Sequence, residues 1–207
     1  MQTMMKTMSF ITLIILLQSI VRSSSITLNS NVAKCLSDLA TQEFSSSYNY
    51  LQLSSKFGTT NAYPGFSSLF MKLSDDDSSK AHDIVEFLTL REGKLDRLIN
   101  TNGIKIRNEI TNIMDIFNGL SEARKQNKDT SHIVVRCHQK AGNISDANVQ
   151  DYLETHVLEY HIKIDKLLAD FENRLAQAPI SEKKLVTFML DEELLNTYGD
   201  RRQDIFS

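Results

Sequence analysis

Four long stretches of this chain carry apolar residues at three- and four-residue spacing, and only the connection between the second and third is long. The first runs from about 31 to 57. Val32, Cys35, Leu36, Leu39, Phe44, Tyr48, Leu51 and Leu53 hold its apolar positions, Ser30 or Asn31 is its expected cap, and Gly58 ends it. The second, about 66 to 92, follows a short loop with Pro64 and Gly65 and is carried by Phe66, Leu69, Phe70, Leu73, Ala81, Ile84, Val85, Leu88 and Leu90. Residues 94–112 contain Asn102-Gly103 and no sustained period, and a connector that long can cross a bundle from end to end. A third helix is expected over about 113–141, with a polar centre from Arg124 to Asp129 that leaves room for a break. The fourth, about 146–175, is the clearest, and Ser145 or Asp146 is its expected cap. Ala178-Pro179 then interrupts the chain before a short fifth helix over about 181–196. Only 7 glycines and 2 prolines interrupt 207 residues, which also favours helix. The order predicts an all-α four-helix bundle with one long crossover and a short C-terminal fifth helix.

The N-terminus reads as a targeting segment. Lys6 precedes an apolar run from Phe10 to Leu17, and Ser23, Ser24 and Ser25 follow it. This predicts a secretory signal peptide over residues 1–25, cleaved near 21–25, and a bundle domain over 26–207. The run is shorter than the ~18 residues of a membrane span, so no span is expected. A secretory route makes a disulfide plausible for Cys35 and Cys137, within the chain or between subunits. It also makes Asn143-Ile144-Ser145 a candidate glycosylation acceptor. A formal charge of −3 and the lack of a basic cluster argue against nucleic acid as a partner.

One run inside the second helix has chemical content. Asp75, Asp76 and Asp77 precede Lys80 by a turn. Helical bundles that bind two irons place Glu-x-x-His at such a spot, because residues three apart share a face. Here the pair is Asp77 and Lys80, and an ammonium has no lone pair for a metal. The run reads as a metal site with a lost ligand.

Further motifs carry a family resemblance. Gln42-Glu43-Phe44-Ser45-Ser46-Ser47-Tyr48-Asn49-Tyr50-Leu51 is similar to the first-helix motif of ferritin subunits. Asp151-Tyr152-Leu153-Glu154-Thr155-His156 is similar to the Asp-Phe-Ile-Glu-Thr-His run of the family's fourth helix. Ala178-Pro179 and the stretch from Leu185 to Leu195 resemble its terminal helix. The chain most resembles a secreted, light-chain-like subunit.

The resemblance implies roles for particular residues. Glu43 stands for the first-helix ligand and Tyr50 for its nearby tyrosine, whereas Asp77, Lys80 and Asn127 (or Thr130 in a shifted register) replace other ligands. His161 falls at the fourth-helix partner position, beside Tyr160. The ferroxidase centre is thus expected to be degenerate, with Lys80 ion-pairing Glu43 and Asp77. The resemblance further implies a three-fold channel lined by Asp151 and Glu154 with His138 near its inner route, and mineral nucleation at Asp75 and Asp76. It implies iron as cargo in a ferric core, with no tightly bound catalytic metal. The partner would be a catalytic heavy-type ferritin subunit in a mixed cage of about 24 chains. Two alternatives remain: a ferroxidase using Glu43, Asp77 and His161, and a secreted helical signalling bundle without iron.

Overall fold

The structure is a computed structural model that describes residues 27–59, 62–91 and 99–200. The expected signal peptide, residues 1–25, lies outside the described residues. So does Gly93, the expected stop of the second helix. The elements are α1 (Ser30–Thr59), α2 (Pro64–Leu90), two short 3-10 turns (Thr101–Gly103 and Asn108–Asn112), α3 (Ile116–Gly142), α4 (Ala147–Tyr152), a π turn (Leu153–Leu158), α5 (Glu159–Gln177) and α6 (Lys183–Tyr198). α4, the π turn and α5 form the fourth helix of the bundle, and α6 is the short fifth. Among the described residues there is no strand, and no helix is long and apolar enough to cross a membrane.

The helix ends follow local chemistry. The cap of α1 is not Ser30 or Asn31: the Asn31 N–H donates to Asn29 Oδ1. α2 starts at Pro64, two residues earlier than expected, because proline suits a first helical position whose N–H would lack a helical partner. Asp115 caps α3 and Asp146 caps α4. α3 runs unbroken through its polar centre. Arg124 reaches across to Asp165 and Glu172 on α5, while Gln126 and Asn127 turn inward.

The π turn also has a sequence cause. Val149, Leu153, Val157 and His161 are all buried and strictly four apart. On a 3.6-residue helix that spacing drifts by about 40° per step. A wider π turn absorbs the drift and keeps His161 on the core side. Tyr152 stacks on Phe87 of α2 just before this turn, with centroids 4.0 Å apart.

The crossover is strapped to one face of α1. Thr41, Ser45 and Asn49, each four residues apart, accept the backbone N–H groups of Asn100, Lys105 and Arg107. Asn49 also donates to the Lys105 carbonyl. Arg107 then pairs with Glu122 and Asp129 on α3. Backbone groups that a helix or sheet would otherwise satisfy are met here by side chains of α1.

α6 docks on the start of α2. Asp191 Oδ1 accepts the Phe66 N–H at 2.9 Å, so a side chain 125 residues away caps α2. Gly65 permits the approach: a Cβ there would lie 1.9 Å from the Asp191 carbonyl oxygen.

The apolar core is split. One cluster gathers Phe57, Phe66, Phe70, Leu120 and Phe171 with their neighbours. The other gathers Leu36, Leu39, Ile84, Val134 and Leu153. Cys35 and Cys137 are bonded to each other in the second cluster, joining α1 to α3 within one chain. That pairing selects the internal alternative left open above. Between the two clusters lies a layer of buried polar side chains.

Candidate functional site

Glu43 of α1, Asp77 of α2, Asn127 of α3 and His161 of α5 meet in the polar layer. Glu43 and His161 are 0% and 1% exposed, so protein groups rather than bulk water must satisfy them. Asn127 Nδ2 donates to the His161 carbonyl at 2.8 Å, which turns Asn127 Oδ1 toward His161 Nδ1, also 2.8 Å away. An amide oxygen only accepts, so Nδ1 carries a proton. Nε2 lies 2.8 Å from Glu43 Oε1. Histidine and glutamate therefore share one further proton, and the pair is neutral overall whichever partner holds it. Among the described residues nothing donates to the other Glu43 oxygen, Oε2.

The remaining carboxylate depends on its surroundings. Tyr160 donates to Asp77 Oδ1 at 3.1 Å. Burial, and then the nearby Glu43 carboxylate, push Asp77 well above the usual carboxylate range, against the Tyr160 bond. Tyr50 donates to the Ala123 carbonyl at 3.2 Å, and burial raises its phenol, helped by Asp77 and Glu43. Gln126 and Thr130 of α3 complete the layer through Ser46 of α1.

A raised carboxyl stabilises the fold fully below its unfolded value of about 3.9, and that contribution is lost as pH rises toward the folded value. Asp77→Asn removes the loss and keeps an oxygen for Tyr160. Its melting temperature relative to the parent is expected to rise as pH increases above about 4 in a thermal-unfolding series. A constant difference would place Asp77 in an ordinary, solvated setting.

The fourth-helix motif spans the end of α4 and the start of the π turn, and one of its residues reaches back to α3. His138 Nε2 is 2.6 Å from Glu154 Oε1, and Gln150 approaches the same nitrogen at 3.4 Å. Asp151 and Glu154 are exposed. On α2, Asp75 is exposed and Asp76 is ion-paired with Lys72.

The family model for ferritin, described as a ferritin-like domain, matches residues 33–178. This chain belongs to the ferritin family. Among similar ferritins, the middle subunit of Salmo salar is 23% identical over 78% of this chain and 90% of its own length. The oocyte light chain of Xenopus laevis is 27% identical over 74% of this chain and 85% of its own. The light chain of Trichoplusia ni is 28% identical over 81% of this chain and 76% of its own. The light-chain-like resemblance read from the motifs agrees with these relatives.

Within the ferritin bundle, one expectation is corrected. Lys80 does not ion-pair with Glu43 or Asp77. Its ammonium stands 5.5 Å from the Tyr160 ring centroid, at the half-buried edge of the layer. Seating a bare ammonium deep in the core costs more than laying its stem along the bundle and resting the charge on a ring face. His161, not Lys80, meets the first-helix glutamate.

The side chains here differ from the carboxylate-and-imidazole set of a di-iron centre. Both imidazole nitrogens of His161 are committed, Asn127 is an amide, and Lys80 is a cation. Among the described residues no cluster of three or more His, Cys, Asp and Glu side chains could hold a metal ion. Glu43, Asp77 and His161 are neighbours, but imidazole and carboxylate are bound to each other. Gln126 and Ser46 were not singled out in the sequence. A usable signal existed: Gln126, Asn127 and Thr130 are polar at core spacing between Ala123 and Val134.

Proposed function

We propose that this chain is the iron-storage subunit of a secreted ferritin shell that leaves oxidation of ferrous iron to a heavy-type partner. The observation that carries this reading is the closed contact of His161 with both Glu43 and Asn127. The imidazole occupies the position next to the first-helix carboxylate, and its Nε2 holds Glu43 Oε1 without a metal. Ferrous ions would enter along Asp151 and Glu154, whose negative field concentrates cations. Oxidation occurs on the partner, and ferric mineral grows in the cavity. The Lys72 pairing reduces what Asp76 can offer a ferric ion, so nucleation from Asp75 and Asp76 is modest. The exposed Leu185, Phe188 and Met189 of α6 support burial of that face against other shell subunits.

The test is ferrous oxidation by the isolated assembled chain, followed by oxygen uptake. The expected rate equals that of protein-free buffer, and it rises in proportion to added heavy-type subunit. Rapid uptake at a few irons per chain would favour the ferroxidase with Glu43, Asp77 and His161 instead. A particle the size of a monomer or dimer, with no iron taken up, would favour the signalling bundle. Lys80→His with Asn127→Glu is not expected to restore oxidation while His161 still holds Glu43. Adding His161→Gln to that pair is expected to raise the rate at least tenfold.

A further inference from the structure

We propose that Asn143 carries an N-linked glycan, at the turn between α3 and α4; this rests on the secretory reading of the leader. Asn143-Ile144-Ser145 is the only Asn-X-Ser/Thr tripeptide in the 207 residues. All three of its residues are exposed, with Ile144 at 46%. The turn closes on itself. The N–H groups of Asn143, Ile144 and Ser145 are bonded to the carbonyls of Gln139, Ala141 and Gly142. Ser145 sits at φ 57°, so the chain turns sharply away just past the acceptor. The Asn143 amide has no hydrogen-bond partner among the described residues. Nothing in the bundle is lost when that nitrogen is substituted. A sugar on Asn143 would also cover the adjacent bare Ile144 side chain.

The chemistry belongs to the unfolded, translocating chain, since the folded turn holds Asn143 in a helical conformation. Asn143 Nδ2 attacks C1 of an oligosaccharide carried on a lipid pyrophosphate. A C–N glycosidic bond forms, the C1–O bond to pyrophosphate breaks, the lipid pyrophosphate departs, and the amide nitrogen loses one proton. No oxidant or reductant is involved. The finished glycan must project from the outer surface of any closed shell, so the turn between α3 and α4 must face outward or line a rim.

The full chain is expressed in a eukaryotic secretory cell, once with its own leader and once behind a proven heterologous leader. Total membrane-protected and secreted protein is treated with peptide-N-glycosidase. The expected result is a single mobility step in both, absent from Asn143→Gln and Ser145→Ala and retained in Ser145→Thr. The shifted form should co-elute with the assembled shell. If only the heterologous leader gives the step, the secretory reading fails and the acceptor site stands. Membrane-protected chain without any step overturns the proposal. So does a step confined to unassembled chain.

Discussion

Replacing His161 with alanine is expected to destabilise the chain by about 3–5 kcal/mol, the usual cost of removing one partner of a buried charged pair. Glu43 is fully buried, and its Oε2 already has no donor among the described residues. Without the imidazole, Oε1 loses its partner too, and the carboxylate must either stay ionised in a dry layer or take up a proton. Asn127 Oδ1 loses its donor at the same time. The melting temperature should fall by about 6–20 °C for a chain of this size. A companion variant separates lost packing from orphaned charge. Glu43→Gln in the His161→Ala background removes the charge and should recover more than half of the loss, giving strong coupling in a double-mutant cycle. Independent, additive effects of the two changes would mean that Glu43 and His161 do not form the pair described above.

The disulfide carries the second large effect. Cys35 and Cys137 are separated by 102 residues, and a cross-link closing a loop of about 100 residues contributes about 4.7 kcal/mol through the entropy it removes from the unfolded chain. Replacing both cysteines with serine, or unfolding in the presence of a reductant, is expected to lower the melting temperature by about 10–20 °C. The folded structure should change little, because α1 and α3 also meet through Ser46, Gln126 and Thr130. A non-reducing gel of the parent should show monomer without intersubunit dimers. Unchanged stability after reduction would mean that the unfolded chain is already compact enough for the bond to add nothing.

Much of this architecture is legible in the residue pattern, and the parts that are not have definite causes. The helix order follows from three- and four-residue spacing, because burying one stripe of a helix demands that period. The continuity of α3 is hidden, because Arg124 and its neighbours read as a break until Asp165 and Glu172 are placed opposite them. The start of α2 is hidden for a similar reason: Pro64-Gly65 reads as a loop until Asp191 supplies the cap. The candidate site is legible as a set of residue types, Glu43, Asp77, Lys80, Asn127 and His161. Its wiring is not. Whether Lys80 or His161 reaches Glu43 depends on the relative rotation of α2 and α5, and on a π turn that re-aims His161 by a fraction of a turn. The pairing of the cysteines likewise depends on the register between α1 and α3.

The docking of α6 sets an order on biosynthesis. The N-terminal turn of α2 is completed by Asp191, 125 residues further along the chain. At about 5–20 residues per second the ribosome needs roughly 6–25 s to make that span. During that interval the first two helices can associate, but the Phe66 N–H lacks its acceptor and the notch at Gly65 stands open. The start of α2 is sealed only when α6 emerges. A chain released early, short of α6, therefore carries an uncapped helix at its centre and an unfilled notch, two features by which a quality-control system could tell it from a finished subunit.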